Sequence, residues 1–321
     1  MSDASAAGSA PASAPERDEP TGTSYHGQPI LKASVWTWEI PAYFFFGGMA
    51  GSSVGLAYLL HLRGETVAAR RAWMTALGGL SISPELLISD LGRPARFLNM
   101  VRMFKITSPM SVGTWAVSTT AAATGLAALD ALGVSAPGPI PHAAVDRAAA
   151  VARPVAALGG LSVATYTAAL LVNTAVPVWH EARWTLPAVF ASGAALSAGG
   201  ACTAFTPVAH AGPARRLALI GAAAELAATE VMHRRLGMHA ETYRSGSGAR
   251  SARLSRAAIM AGAALLARGG ARHRAAAAGA GALLCAGAMA TRWSVFAAGR
   301  QSAEDPKYVV EPQRARLAAR G

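Results

Sequence analysis

Charged side chains are scarce in this chain of 321 residues, where Asp, Glu, Lys and Arg together make up 14%. A soluble domain carries about 25% of such residues, so the deficit argues against a water-soluble fold and points to lipid as the surroundings. The 33 glycines suit helices that approach closely in a bilayer, because small residues permit tight van der Waals packing. Ten-residue alternating segments of the kind that build a transmembrane barrel are missing. We therefore expect an all-α, multi-pass integral membrane protein.

Metal-binding residues are equally sparse. The only cysteines, Cys202 and Cys285, lie inside apolar segments without CxxC spacing, too few for an iron–sulfur cluster or a zinc site, and we interpret them as packing residues. A membrane cytochrome b holds haem between imidazoles inside its bundle, whereas the eight histidines here lie in the tail, in loops or at segment ends. The sequence predicts neither haem nor a metal in this chain.

The apolar segments predict eight transmembrane helices with both termini on one side of the membrane. About 20 apolar residues cross a hydrocarbon core of about 30 Å. The predicted spans cover residues 40–62, 68–91, 110–133, 151–176, 185–208, 214–236, 251–268 and 273–297. Residues 1–33 lack the charged and apolar regions of a signal peptide and are predicted to be a disordered tail. Residues 299–321 are predicted to be a polar C-terminal tail.

The net charge of +12 comes from Arg and Lys that stand mostly between apolar segments. Nucleic acid is not expected as a partner, because no basic helix or aromatic platform accompanies the charge. Lipid headgroups or a partner protein are the expected contacts. The loops after spans two, four and six and both tails hold most of this charge, and the positive-inside rule would then make the termini cytoplasmic. Docking of an acidic partner would produce the same excess.

Carboxylates inside the apolar segments are candidates for proton transfer, because a charge at that depth costs several kcal/mol and is rarely present without a task. Glu85 has no evident local partner, which suits a buried carboxylate with a raised pKa. Asp90 stands beside Arg93, and a structural ion pair at the helix end is the favoured interpretation there. Glu225 in span six shares a helix face with Thr229 and is the third candidate.

The connector after span two is predicted to form a docking surface. It carries four basic residues at the water boundary, namely Arg93, Arg96, Arg102 and Lys105. A membrane protein with such a surface above acidic side chains would receive a partner protein at this end.

Polar aromatic residues suggest a quinone site. In span four, Tyr166 and Asn173 are seven residues apart and would share a helix face, so that a hydroxyl and an amide could hold a quinone carbonyl. A packing tyrosine with a satisfied hydroxyl is the alternative. Glu39 and Tyr43 are four residues apart at the beginning of span one, and they fit either a ligand site or an interfacial anchor.

Two long motifs stand out in the sequence, namely Asp90-Leu-Gly-Arg-Pro-Ala-Arg-Phe97 and Thr107-Ser-Pro-Met-Ser-Val-Gly-Thr-Trp115. Together with residues 36–43, 166–167, 173–181 and 302–308, they resemble the NrfD/PsrC family, the membrane subunits of polysulfide-reductase-like molybdoenzyme complexes. The resemblance covers about residues 34–317.

The resemblance implies two four-helix bundles, here residues 34–182 and 183–298, with a site for menaquinone or another quinone in the first and no haem. It implies a ferredoxin-like partner with four iron–sulfur clusters, and a molybdopterin-type catalytic subunit beyond it, in the cell (inner) membrane. The chain would not be active alone. The family's quinone site draws on positions that correspond to Glu39, Tyr43 and Tyr166. At Ile40 an amide occurs in some relatives, so the contacts here are expected to differ.

Two other functions remain open from the residues. Buried Glu85 and Glu225 would also serve a proton-coupled solute transporter, although no inverted repeat or pair of broken helices is apparent. A purely structural membrane anchor is the third possibility. Bound quinone in the purified protein separates the first function from both.

Overall fold

The computed structural model describes residues 30–32, 34–133 and 142–319. Every regular element in this part of the chain is a helix, as the composition predicts. The α-helices are α1 (Glu39–Leu62), α2 (Thr66–Asp90), α3 (Arg96–Arg102), α4 (Pro109–Leu132), α5 (His142–Val172), α6 (Pro177–Glu181), α7 (Leu186–Phe205), α8 (Gly212–Arg235), α9 (Gly246–Gly269), α10 (Arg274–Glu304) and α11 (Lys307–Ala318). A 3-10 helix, Gly237–Tyr243, joins α8 to α9. Nearly all of the predicted N-terminal tail lies outside the described residues.

Eight of these helices are long, and each corresponds to one predicted span. Four contain a stretch that is long and apolar enough to cross a membrane: α1, residues 143–172 of α5, α7 and α10. The number of eight membrane spans stays a prediction. Several helices extend beyond the predicted spans: α5 begins at His142, nine residues before span four, and α9 begins at Gly246, five residues before span seven, with arginines in its first turns that break the apolar pattern.

Local signals explain where the helices begin and end. Ser108 accepts a hydrogen bond from the backbone N–H of Ser111 (3.4 Å) and caps α4, with Pro109 in the first turn. The same helix ends at Gly133, which has a φ of 67°, a left-handed conformation that glycine adopts without a steric penalty.

The long helices pack against one another in close pairs, and glycines make the close approach possible. Helix α1 packs against α2 and α5, and α4 packs against α5 and α2; α7 packs against α8 and α10, and α9 packs against α10. A Cβ atom at Gly51 of α1 or Gly160 of α5 would collide with the other helix's backbone, and a Cβ atom at Gly281 of α10 would collide with the backbone of Gly200 in α7. Small residues thus let these helices approach closely. The predicted domain boundary at residue 183 stays a prediction.

The segment before α1 and the end of α10 lie at the same end of the molecule. Trp179 of α6 connects them, because its ring stacks on Trp36 (ring centroids 6.0 Å apart) and on Phe296 of α10 (6.1 Å). Its indole N–H donates to the carbonyl of Val295 at 2.8 Å. These contacts fix the end of the molecule at which the clefts described below open.

The C-terminal segment is more ordered than its polar composition suggests. Helix α10 continues to Glu304, and α11 follows after two residues. Tyr308 in α11 is buried, and its backbone carbonyl lies 3.2 Å from a ring nitrogen of His239 in the 3-10 helix. The predicted polar tail therefore packs against the helical body through this tyrosine.

Candidate functional site

A narrow cleft opens where the start of α1, the end of α2, the start of α4 and the end of α5 meet. The space between its walls, counted out to the open side, is about 460 Å³, and about 30 Å³ of it admits a water molecule. The lining is mostly apolar and aromatic, with two phenols, one hydroxyl and one carboxylate as its polar groups. The lining residues are Trp36, Ile40, Tyr43, Leu87, Asp90, Leu91, Met100, Met110, Thr114, Tyr166 and Leu170.

Two tyrosines predicted as ligand residues both line this cleft. Tyr43 extends from the second turn of α1 and is 3% exposed. Tyr166 extends from α5 and is half-buried. Two residues more than 120 positions apart in the chain thus line one cleft, and their role as quinone ligands stays a prediction.

Gly113 of α4 makes room for Tyr166. A Cβ atom at position 113 would overlap the terminal ring carbon and the hydroxyl of Tyr166. Any larger residue at this position must therefore push the phenol away from its place in the cleft. The motif Thr107–Trp115 contains this glycine, and that motif was the signal from which its role could have been found.

A small polar cluster lies at the mouth of the cleft. The carboxylate of Asp90 accepts a hydrogen bond from the backbone N–H of Thr37 (3.4 Å) and another from its hydroxyl (3.5 Å). The Thr37 hydroxyl also contacts the carboxylate of Glu39. Glu39 is half-buried beside the cleft without lining it. Thr37 thus connects the carboxylates of Asp90 and Glu39 at the mouth of the cleft.

This cluster corrects the interpretation of Asp90. The expected ion pair with Arg93 is absent, since no nitrogen of Arg93 lies within 4 Å of the Asp90 carboxylate, and Arg93 is exposed. The reason is that α2 ends at Asp90 and Gly92, with a φ of 66°, turns the chain away before Arg93 is reached.

Two other predicted residues lie away from the cleft. Glu85 is exposed on α2, so its interpretation as a buried carboxylate was wrong; Ser83, about 200° away on the helix, takes the buried face instead. Asn173 lies just beyond the end of α5, is exposed, and donates its amide to the carbonyl of Ala169 at 2.7 Å. The seven-residue spacing from Tyr166 predicts a shared face only while the helix continues, and α5 stops at Val172.

Glu225 is buried, as predicted, but in a different part of the molecule. It is 1% exposed in α8, and both carboxylate oxygens lack a hydrogen-bond partner among the described residues. Arg292 of α10 is its nearby cation, with Gly193 of α7 lying close to both side chains. The Arg292 guanidinium donates to the carbonyl of Phe190 (2.8 Å) and stacks on the Phe190 ring (4.0 Å).

The predicted docking surface is exposed and partly apolar. Its four basic residues, Arg93, Arg96, Arg102 and Lys105, all face outward, and α3 contains no buried residue. Large apolar side chains stand among them, with Met103, Phe104 and Ile106 each more than 60% exposed. The backbone carbonyl of Met103 accepts hydrogen bonds from Ser111 (3.0 Å) and Trp115 (3.4 Å), which attach the connector to α4.

Sequence reasoning missed several parts of the cleft. Trp36, Met100 and Thr114 line it, and none was singled out as a ligand residue. Thr114 follows Gly113 and is buried, with its hydroxyl donating to the carbonyl of Met110 at 2.9 Å. All three belong to, or lie beside, the segments whose motifs carry the family resemblance.

The long apolar helices define an all-helical, multi-pass integral membrane protein. The sequence profile of the family described as "Polysulphide reductase, NrfD" matches residues 25–234, more than half of the chain. The chain therefore belongs to the NrfD family, whose members are membrane subunits of oxidoreductase complexes. A search of curated proteins finds no match. The matched segment contains the whole cleft and ends in α8.

Proposed function

We propose that the chain is a quinone-reactive membrane anchor that exchanges electrons between the quinone pool and an iron–sulfur partner subunit. The observation that carries the proposal is the cleft, where the phenols of Tyr43 and Tyr166 and the carboxylate of Asp90 meet inside apolar walls. Phenol hydroxyls donate hydrogen bonds to ring oxygens, and apolar walls suit an isoprenoid-bearing ring.

The residues fit the chemistry of quinol oxidation, which releases two electrons and two protons. Tyr43 and Tyr166 orient the ring through its two oxygens. Asp90 and Glu39, joined through Thr37, accept protons at the cleft mouth and pass them to water. Quinone reduction uses the same groups in the reverse direction.

A quinone ring needs more room than the cleft offers in this conformation, with about 30 Å³ of water-accessible space. The connector that supplies Leu91 and Met100 provides that room by moving outward. Because α3 contains no fully buried residue, its displacement exposes less apolar area than movement of a long helix would.

The partner docks, in this proposal, on the exposed connector above the cleft. Basic residues attract an acidic surface and speed the encounter, and the exposed Met103, Phe104 and Ile106 supply the apolar contact that holds it. The partner is a ferredoxin-like subunit with four iron–sulfur clusters, followed by a molybdopterin-type catalytic subunit, in the cell membrane with the chain termini on the cytoplasmic side. Menaquinone is the expected quinone, in anaerobic respiration.

Glu225 is a separate candidate for proton transfer. Its unpartnered oxygens face a crevice that opens at the same end of the molecule as the cleft. A transporter would also need such a carboxylate, but membership in the NrfD family favours the redox function.

Quinol turnover by the complex purified from membranes tests the proposal. Tyr166→Phe removes one hydrogen bond to the ring, and we expect quinol-linked turnover to fall about tenfold to 100-fold, since a hydrogen bond to a charge-bearing group contributes about 1.5–3 kcal/mol. Assembly of the complex should stay unchanged. Tyr58→Phe, at the far end of α1, is the matched control and should keep full turnover.

Two outcomes would reject the proposal. If the purified protein holds no quinone and Tyr166→Phe keeps full turnover, the chain serves as a purely structural anchor. Uptake of a solute driven by a proton gradient, without any quinol oxidation, would instead support the transporter.

A further inference from the structure

The seam between α8 and α9 is loosely packed. The pairs α7–α8, α9–α10 and α7–α10 pack along their lengths, whereas α8 and α9 touch sparsely. A crevice with about 300 Å³ of water-accessible space fills this seam, a volume in the range of small-ligand pockets. It reaches from Arg234 down to Glu225, roughly 14 Å along the helix.

Positive charge dominates the mouth of the crevice. Arg234, Arg244, Arg253 and Arg256 line it. The acidic residue there, Glu230, is engaged with Arg234 (2.9 Å) and Arg256 (3.3 Å). Within the described residues, Arg244 and Arg253 have no carboxylate within 4 Å, so two guanidinium groups remain for an anion.

Buried polar groups beside these arginines also lack partners. The hydroxyl of Tyr243 and the Nε2 atom of His233 line the crevice and make no hydrogen bond within the described part of the chain. Tyr243 is 6% exposed, and its ring lies against His233 with centroids 4.7 Å apart. Burial raises the pKa of Tyr243, so its hydroxyl keeps its proton as a donor. Unsatisfied buried groups of this kind call for a ligand or ordered water.

The crevice also has apolar walls. Leu226 and Ile259 line its interior. Glu225 lies on the floor, about two and a half turns of α8 below Arg234, and so leaves the mouth of the crevice to an anion.

We propose that this crevice binds the phosphate group of an anionic phospholipid. Arg244, Arg253 and Tyr243 donate to the phosphate, and an acyl chain lies in the seam between α8 and α9. Free phosphate offers the same headgroup chemistry, but Leu226 and Ile259 of the crevice wall then have no apolar group to contact. Basic pockets between transmembrane helices are established sites for such headgroups. The proposal does not depend on the quinone site.

Lipid retention and thermal unfolding of the full-length chain test this site. The protein is placed in vesicles of phosphatidylcholine alone, or of phosphatidylcholine with phosphatidylglycerol or cardiolipin. We expect the anionic lipids to raise the unfolding midpoint and to stay bound through purification, as seen by native mass spectrometry. The double variant Arg244→Gln/Arg253→Gln should bind them about 30-fold more weakly.

The control is Arg272→Gln/Arg274→Gln, which removes two exposed arginines at the opposite end of α9 and α10 and should bind like the wild type. Tyr243→Phe removes one donor without a charge change and should weaken binding by a smaller factor. Anionic lipids without effect, or equal losses in the two double variants, would overturn the proposal. Inorganic phosphate that reproduces the stabilisation in pure phosphatidylcholine would overturn it too, because the site would then take a free anion.

Discussion

The cleft of the N-terminal helices and the crevice of the C-terminal helices open at the same end of the molecule but differ in shape and chemistry. The cleft is narrow, with two phenols and one carboxylate in apolar walls, whereas the crevice has ten times its water-accessible space and four arginines. The difference follows from helix packing. Four helices and a connector close the cleft, while α8 and α9 scarcely touch. A neutral ring suits the first, and a charged headgroup suits the second.

The largest effect should come from the buried charge of the C-terminal half. Arg292→Met leaves Glu225 without its neighbouring cation and should destabilise the fold by about 3–5 kcal/mol, since an uncompensated buried charge is costly. Adding Glu225→Gln should recover part of the loss, which thermal unfolding of both variants measures. Equal destabilisation with and without Glu225→Gln would show that the two side chains are not coupled.

The next effect concerns the shape of the cleft. Gly113→Ala puts a methyl group where the Tyr166 ring lies, and we expect quinol turnover to fall about 100-fold, because a misplacement of about 1 Å at a reacting group has effects of that order. Gly125→Ala, on the same helix with open space around it, is the matched control and should keep its turnover. Equal turnover in the two variants would show that the Tyr166 position does not matter.

A smaller effect is expected at the docking surface. Reversing two exposed charges with Arg96→Glu/Arg102→Glu should reduce recovery of the partner with the chain about tenfold, measured by co-purification at several salt concentrations. The pair Arg70→Glu/Arg71→Glu, exposed near the start of α2, lies at the opposite end and serves as control. A partner lost equally in both variants would place the contact elsewhere.

The smallest effect is expected for the carboxylates at the cleft mouth. Asp90→Asn keeps the hydrogen bonds to Thr37 but removes one proton acceptor, and Glu39 remains within reach of the same threonine. Turnover should fall only a few-fold, and the double variant with Glu39→Gln should fall further. A double variant no slower than the single one would exclude the two carboxylates as alternative acceptors.

Sequence patterns located the long helices because apolar segments long enough to cross a bilayer are few and easily recognised. Span one was predicted at 40–62 and α1 covers Glu39–Leu62. The short elements were missed, since α3 buries nothing and α11 has a proline inside an otherwise polar segment. From the sequence alone, neither of these two segments can be told from a loop.

The candidate site was predictable only as far as its motifs reached. Tyr43 and Tyr166 were singled out by their spacing and by the resemblance, and the structure brings them to one cleft. Glu85 and Asn173 were not placed correctly, because spacing alone fixes neither which side of a helix faces the bundle nor where the helix ends. The α8–α9 crevice could not be foreseen, since an open seam depends on which helices pack together.

Photolabelling with an azido-quinone tests the central claim most directly, because it reports which of the two cavities receives the ring. The account predicts saturable labelling of peptides from residues 36–43, 87–114 and 166–170, which unmodified quinone prevents. Saturable labelling confined to α8 and α9, with the cleft peptides unmodified, would contradict it.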